Sequence, residues 1–155
     1  MPESLRSRLL RWKFNIFPAY RGTGARITYI ADDFREMRVR LPLSWRTRNA
    51  VGTIFGGSLY GAVDPVYMIM LIHLLGKEYV VWDKAAEIRF LKPGRATLYA
   101  TFRVEEDELK AIREAAAEGP IDRVYNVELV DGAGVSHAAV TKTIYIRRKT
   151  TRIRT

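Results

Sequence analysis

Residues 49–64 read Asn-Ala-Val-Gly-Thr-Ile-Phe-Gly-Gly-Ser-Leu-Tyr-Gly-Ala-Val-Asp, a window able to act on a polarised carbonyl. If the apolar stretch that follows is a helix opening at Gly56, its first backbone N–H groups lack intrahelical partners and sit at the positive end of the dipole. With no side chains, Gly56 and Gly57 let a carbonyl oxygen come close, which describes an oxyanion hole. Asp64 lies about two turns further on, on the face that also carries Gly57, Gly61 and Met68. Pro65 and then Val66 to Ile72 follow it without a charge. A carboxylate in such company is costly unless it is used or paired. The plainer reading is that the glycines permit tight helix-to-sheet packing and that Asp64 hydrogen-bonds a loop.

The elements that would position this window follow from periodicity. Leu5, Leu9, Trp12 and Ile16 fall at helical spacing between Ser4 and Phe17, Arg6, Arg8, Arg11 and Lys13 fill much of the rest, and Pro18 ends the helix. Strands are predicted at 25–31 and 34–41, with a turn at Asp32-Asp33. A loop over 42–55 leads to one strongly apolar helix over 56–75, ended by Gly76. Further strands are predicted at 79–91 and 96–104 around the Lys92-Pro93-Gly94 turn. An acidic surface helix over 105–118 follows, then strands at 122–130 and 135–147 joined by Asp131-Gly132-Ala133-Gly134. A helix apolar nearly all round must be buried, and strands joined by tight turns pair antiparallel. The expected architecture is α+β: a curved antiparallel sheet wrapped around one central helix, with an extra N-terminal helix. Such a sheet leaves an open edge and a half-covered helix, and pairing two protomers resolves both.

A chain of 155 residues, 48% hydrophobic, suits one domain, divided into a helix over 1–18, a core over 25–148 and a basic tail over 149–155. There is no cysteine, which excludes disulfides, zinc-thiolate sites and thiol nucleophiles. No metal motif is legible around His73 and His137. The run from Val66 to Ile72 is too short to span a bilayer, no signal peptide is evident, and a cytoplasmic location is expected. The net charge of +9 is concentrated in residues 1–48 and from Lys142 onward, a field that attracts polyanions or simply keeps the chain soluble. A basic amphipathic helix can lie on a membrane, although its ordinary fate is to pack on the domain or a partner subunit. Against nucleic acid, no helix-turn-helix, zinc-finger or RNA-binding signature is present.

The window resembles the signature of hotdog-fold acyl-CoA thioesterases of the phenylacetate-pathway type: Asn, two residues, Gly, two residues, His-Gly-Gly, six residues, Asp. Asn49, Gly52, Gly56, Gly57 and Asp64 match in register, and the element order over 25–148 fits a hotdog domain. The Phe-Gly-Gly form is most similar to uncharacterised thioesterase-like hotdog domains. The resemblance implies hydrolysis of an acyl thioester without a cofactor, coenzyme A belonging to the substrate. Asp64 would be general base or nucleophile, the Gly56 and Gly57 N–H groups the oxyanion hole, and Asn49 a positioning group. It also implies a homodimer or dimer of dimers with sites at the interface. Phe55 departs from the family histidine, and Met68 stands where related enzymes carry Ser or Thr to hold water. Each loss can cost about a hundredfold in rate, so acyl binding without turnover is the competing expectation.

Further residues are drawn in by position. Ser58 adjoins the glycine pair, but Gly56-Gly57-Ser58-Leu59-Tyr60 fails the serine-hydrolase elbow at its last place. Tyr60, Tyr67, Trp82 and Phe90 are candidates to line an acyl pocket, and Lys92, Arg95, Arg147 and Arg148 to hold coenzyme A phosphates.

Overall fold

The computed structural model describes residues 3–150. The chain runs α1 (Leu5–Ile16), α2 (Pro18–Gly22), β1 (Arg26–Ile30), β2 (Glu36–Leu41), α3 (Gly56–Val63), α4 (Val66–Leu75), β3 (Tyr79–Phe90), β4 (Leu98–Arg103), α5 (Glu106–Glu118), β5 (Ile121–Val130) and β6 (Ser136–Arg148). The strands form one sheet in the order β1-β2-β4-β5-β6-β3, with antiparallel pairing throughout. The chain crosses from β2 to the far edge through α3 and α4, which lie against the sheet. The inward positions of the strands, such as Met37, Val39 and Leu41 on β2 and Val140, Ile144 and Ile146 on β6, pack on Leu59, Val63, Val66, Met70 and Leu71 of the central helices. Alternation with period two on β2 and β6 is what makes one face of the sheet a core.

The central helix is two helices. Pro65 has no N–H to donate and its ring crowds the preceding turn, so α3 ends at Asp64 and α4 begins after Pro65. On either side of the break the helical bonds persist, Asp64 N–H donating to Tyr60 O at 2.9 Å and Ile69 N–H to Pro65 O at 3.0 Å. Taken together, Gly56–Leu75 has the length and apolar composition of a membrane-crossing helix, but half of that stretch is buried inside the protein, as befits the helix a sheet wraps.

The N-terminal helix does not pack its apolar stripe on the domain. Its expected packing stripe, Leu5, Leu9, Trp12 and Ile16, is exposed. The face turned to the domain carries buried Ser7 with Leu10 and Phe14. Asn15 docks this helix on β1: its Nδ2 donates to Ile27 O and its Oδ1 accepts from Ile27 N–H, both at 2.8 Å. Of the expected basic tail, 151–155 lies outside the described residues.

Candidate active site

Asp64 has the company that its surroundings require, from a residue that local sequence does not advertise. On β6 the inward positions run Ala138, Val140, Lys142, Ile144 and Ile146, and Lys142 is as buried as its neighbours, with 0% exposure. Its Nζ donates to Asp64 Oδ1 at 2.7 Å and to the Tyr60 hydroxyl at 3.2 Å. Tyr60 in turn donates to the same Asp64 Oδ1 at 2.7 Å. Asp83, on β3, brings its Oδ1 to 3.1 Å from Lys142 Nζ without hydrogen-bond alignment. Burial alone would lower the lysine's pKa, but hydrogen bonds to Asp64 and Tyr60 and the charge of Asp64 outweigh it and hold the ammonium above its usual range. For Asp83 the balance reverses: burial raises its carboxyl above the usual value despite the lysine. The Asp64 carboxylate also sits at the negative end of α3, where a nearby cation is favourable.

One oxygen of Asp64 is thus fixed. Its Oδ2 takes no hydrogen bond among the described residues, and the side chain is 43% exposed. The carboxylate borders an apolar cavity of about 300 Å³ walled by Phe14, Phe17, Tyr20, Ile27, Met68 and Ile69. The cavity lies between the central helices and the α1–α2 arm. Tyr20 pins that arm by donating to Ala62 O at 2.9 Å. Gly61 allows its close approach, since a methyl there would meet Thr23 Cγ2 at 2.7 Å.

The glycine pair opens α3 as expected, and among the described residues neither the Gly56 nor the Gly57 N–H has a hydrogen-bond acceptor. Two exposed rings flank it. A methyl on Gly56 would lie 3.2 Å from Phe90 Cε1, and one on Gly57 would collide with the Phe55 ring. Gly56 shares a second hollow, about 410 Å³, with Asn49, Phe90, Lys92 and Pro93. Asn49 is tied into its loop there: Nδ2 donates to Thr53 Oγ1 at 2.8 Å, and Oδ1 accepts from Val51 and Thr53 N–H at 3.1 and 3.0 Å. The two hollows share no lining residue. Within one chain the structure joins Asp64 and Met68 at one, with Tyr60 bonded to Asp64 behind it, and Asn49, Gly56 and Lys92 at the other. Ser58 is buried, Arg95 is exposed, Tyr67 is core, and Trp82 stacks on Tyr145 on the opposite face of the sheet.

Neither histidine joins Asp64. His73 stacks on Phe34 with ring centroids 4.3 Å apart. His137 has the partner that the sequence does not reveal: its Nε2 lies 2.9 Å from Asp131 Oδ2 and its Nδ1 3.1 Å from Pro93 O. That contact ties the β5–β6 hairpin to the segment after β3. It lowers the Asp131 carboxyl, together with the Val135 and Ala133 N–H groups. Among the described residues no three metal-ligating side chains cluster.

A family model described as a domain of unknown function, DUF4442, matches residues 6–146. The chain belongs to the DUF4442 family. No curated protein matches it. Similar solved structures include PA5026 of Pseudomonas aeruginosa, described as a protein of unknown function and probable thioesterase, with a TM-score of 0.81 and 18% identity over 96% of this chain and 99% of that one. Thioesterase HI1161 of Haemophilus influenzae superposes with a TM-score of 0.70 and 12% identity, over 97% and 96% of the two chains. A mutant form of thioesterase PA1618 of Pseudomonas aeruginosa gives 0.69 and 12%, over 96% and 97%. At these identities the likeness is one of fold, and the fold of this DUF4442 chain is the hotdog fold: an antiparallel sheet around a central helix, here with a helical arm before it.

Proposed function

We propose that this DUF4442 protein hydrolyses an acyl thioester, coenzyme A being the expected thiol, to the free acid and the thiol. The observation that carries the reading is the asymmetry of Asp64: Oδ1 is held by Lys142 and Tyr60, Oδ2 takes no hydrogen bond among the described residues, and the residue borders an apolar cavity. A carboxylate oriented through one oxygen is suited to take a proton from water through the other. The water oxygen adds to the thioester carbonyl carbon, the carbonyl oxygen becomes the oxyanion, and collapse breaks the carbon–sulfur bond. The thiolate leaves and is protonated.

The oxyanion needs donors that the same protomer does not bring to Asp64. The eight residues from Gly56 to Asp64 rise about 12 Å along a helix, too far for one carbonyl to reach both. The reading therefore uses Asp64 of one protomer with Gly56 and Gly57 of a second, and Lys92 beside those glycines as a phosphate contact for coenzyme A. The cavity next to Asp64 takes the acyl group, and its 300 Å³ falls at the small end of ligand pockets, which favours a short or compact acyl chain. The Phe55 ring over Gly57 favours a second reading, acyl-thioester binding without turnover.

The chain has no cysteine, so thiol release from an acyl-CoA panel can be followed without background from the protein. Hydrolysis is expected with at least one short or aryl acyl-CoA, and Asp64→Asn should lower kcat by about a hundredfold or more. Turnover indifferent to Asp64→Asn would sink the assignment, and saturable binding with no turnover would select the second reading.

A further inference from the structure

The outer face of α1 is left over by both the fold and the site. Leu5, Leu9, Trp12 and Ile16 form one stripe on it, exposed by 76, 63, 59 and 45%. The inner face alone seats the helix, through Ser7, Leu10, Phe14 and the Asn15 clamp. Four large apolar side chains therefore project from a short helix without a partner among the described residues. Trp45, 80% exposed, borders the same surface across a hollow that Ile16, Arg21 and Arg46 also line.

The charges that line the hollows beside the stripe have one sign. A hollow of about 680 Å³ beside Leu9 and Trp12 is lined by Arg8, Arg11, Arg21 and Arg26, and no acid lines either hollow. Arg11 is paired with Glu3. Among the described residues Arg8, Arg21 and Arg26 have no carboxylate partner, and Arg46 stacks over Trp45 instead. A projecting apolar ridge with exposed tryptophans, set among unpaired guanidinium groups, complements the interface of an anionic bilayer. There the apolar side chains reach the acyl boundary and the bases meet headgroup phosphates. Nucleic acid would use the bases but has no place for Leu5, Leu9 and Ile16. A second copy of this face would set the same unpaired arginines against each other.

We propose that α1, with Trp45, is an interfacial docking surface for anionic lipid membranes. The full chain should co-sediment with phosphatidylcholine vesicles containing phosphatidylglycerol, at least about tenfold better than with phosphatidylcholine alone. The difference should shrink in high salt, and tryptophan emission should shift to the blue on binding. Leu9→Glu with Trp12→Glu alters only exposed positions. It should keep the thermal midpoint and lose the vesicle binding, and Arg8→Glu with Arg21→Glu should lose it with the apolar stripe intact. Equal partition onto neutral vesicles would overturn the proposal. So would vesicle binding unchanged in either double variant. A change of mass in solution caused by Leu9→Glu with Trp12→Glu, without vesicles, would also overturn it, because the stripe would then be a face between copies.

Discussion

Lys142 has its charge wholly inside the protein, and an ammonium taken out of water is tolerated only with partners at hydrogen-bond distance. Asp64 and Tyr60 supply them, so the pair is one unit, and a change in either is felt by both. Lys142→Met, which fills the same space without charge, should lower the unfolding free energy by about 1–3 kcal/mol, less than for a sealed pair because Asp64 keeps some contact with water. The sign with pH follows from the raised lysine pKa. The folded chain binds this proton more tightly than the unfolded one, so the stabilisation is complete below the unfolded value, about 10.4, and is lost as pH rises through the higher folded value. Denaturation of wild type and Lys142→Met should therefore differ at neutral pH and converge in strong alkali; a gap constant through that range would show that packing, not charge, holds Lys142. The sequence makes Asp64 conspicuous because it interrupts a long apolar run. Lys142 is hidden at the head of a basic tail, and only the alternation from Ala138 to Ile146 betrays that it points inward. Its distance from Asp64 in sequence, with no local pattern linking them, keeps the pair illegible until β6 is laid beside α3.

At the scale of elements, α1 is an edge cover as well as an amphipathic helix. β1 is an outer strand of the sheet, and outer strands offer unpaired backbone groups to any passing strand. Asn15 answers both groups of Ile27 as a neighbouring strand would, and Glu3 accepts from Ile30 N–H at 3.2 Å while also pairing with Arg11. Ile27 is nearly buried, with 2% exposure, so water cannot readily replace the amide. Asn15→Ala should cost about 1–3 kcal/mol for the two stranded backbone groups. Asn15→Asp, which keeps only the acceptor, should recover part of that loss. Equal midpoints for Asn15→Ala and wild type in chemical denaturation would show that β1 does not depend on the clamp. Periodicity makes α1 legible as a helix but misassigns its inward face, because both faces are apolar and only the amide of Asn15 distinguishes them. The break at Asp64-Pro65 is readable in hindsight from proline chemistry alone, yet a uniformly apolar run masks it.

For the whole molecule, the two edges of the sheet are unequal. The α1 arm covers β1, but among the described residues β3 pairs with β6 alone and offers twelve residues of edge. Ala85 and Ala86 are exposed at its middle, and at its end Phe90, with Leu91 and Phe55, forms an exposed apolar group around the start of α3. A long open edge of this kind invites another strand. The net charge of +9 opposes association in general, but β3 carries Asp83 and Glu87 against Lys84 and Arg89, so the edge itself is locally neutral. Two copies meeting there about a two-fold axis would bury both edges at once, and would carry the apolar group of each protomer toward the central helix of the other. That arrangement would also bring the Gly56 and Gly57 donors of one chain near Asp64 of its mate, as the proposed hydrolysis requires. Sedimentation equilibrium should then give twice the chain mass of 17.8 kDa. Ala86→Arg, exposed in a single chain but close to the two-fold axis in the pair, should set like charges together and return the monomer without unfolding it. If the site is shared, thiol release should fall with the dimer and recover when high protein concentration restores it. A monomeric Ala86→Arg protein with undiminished turnover would place the whole site within one chain, and the oxyanion donors would then have to be sought among groups nearer Asp64 than the glycine pair.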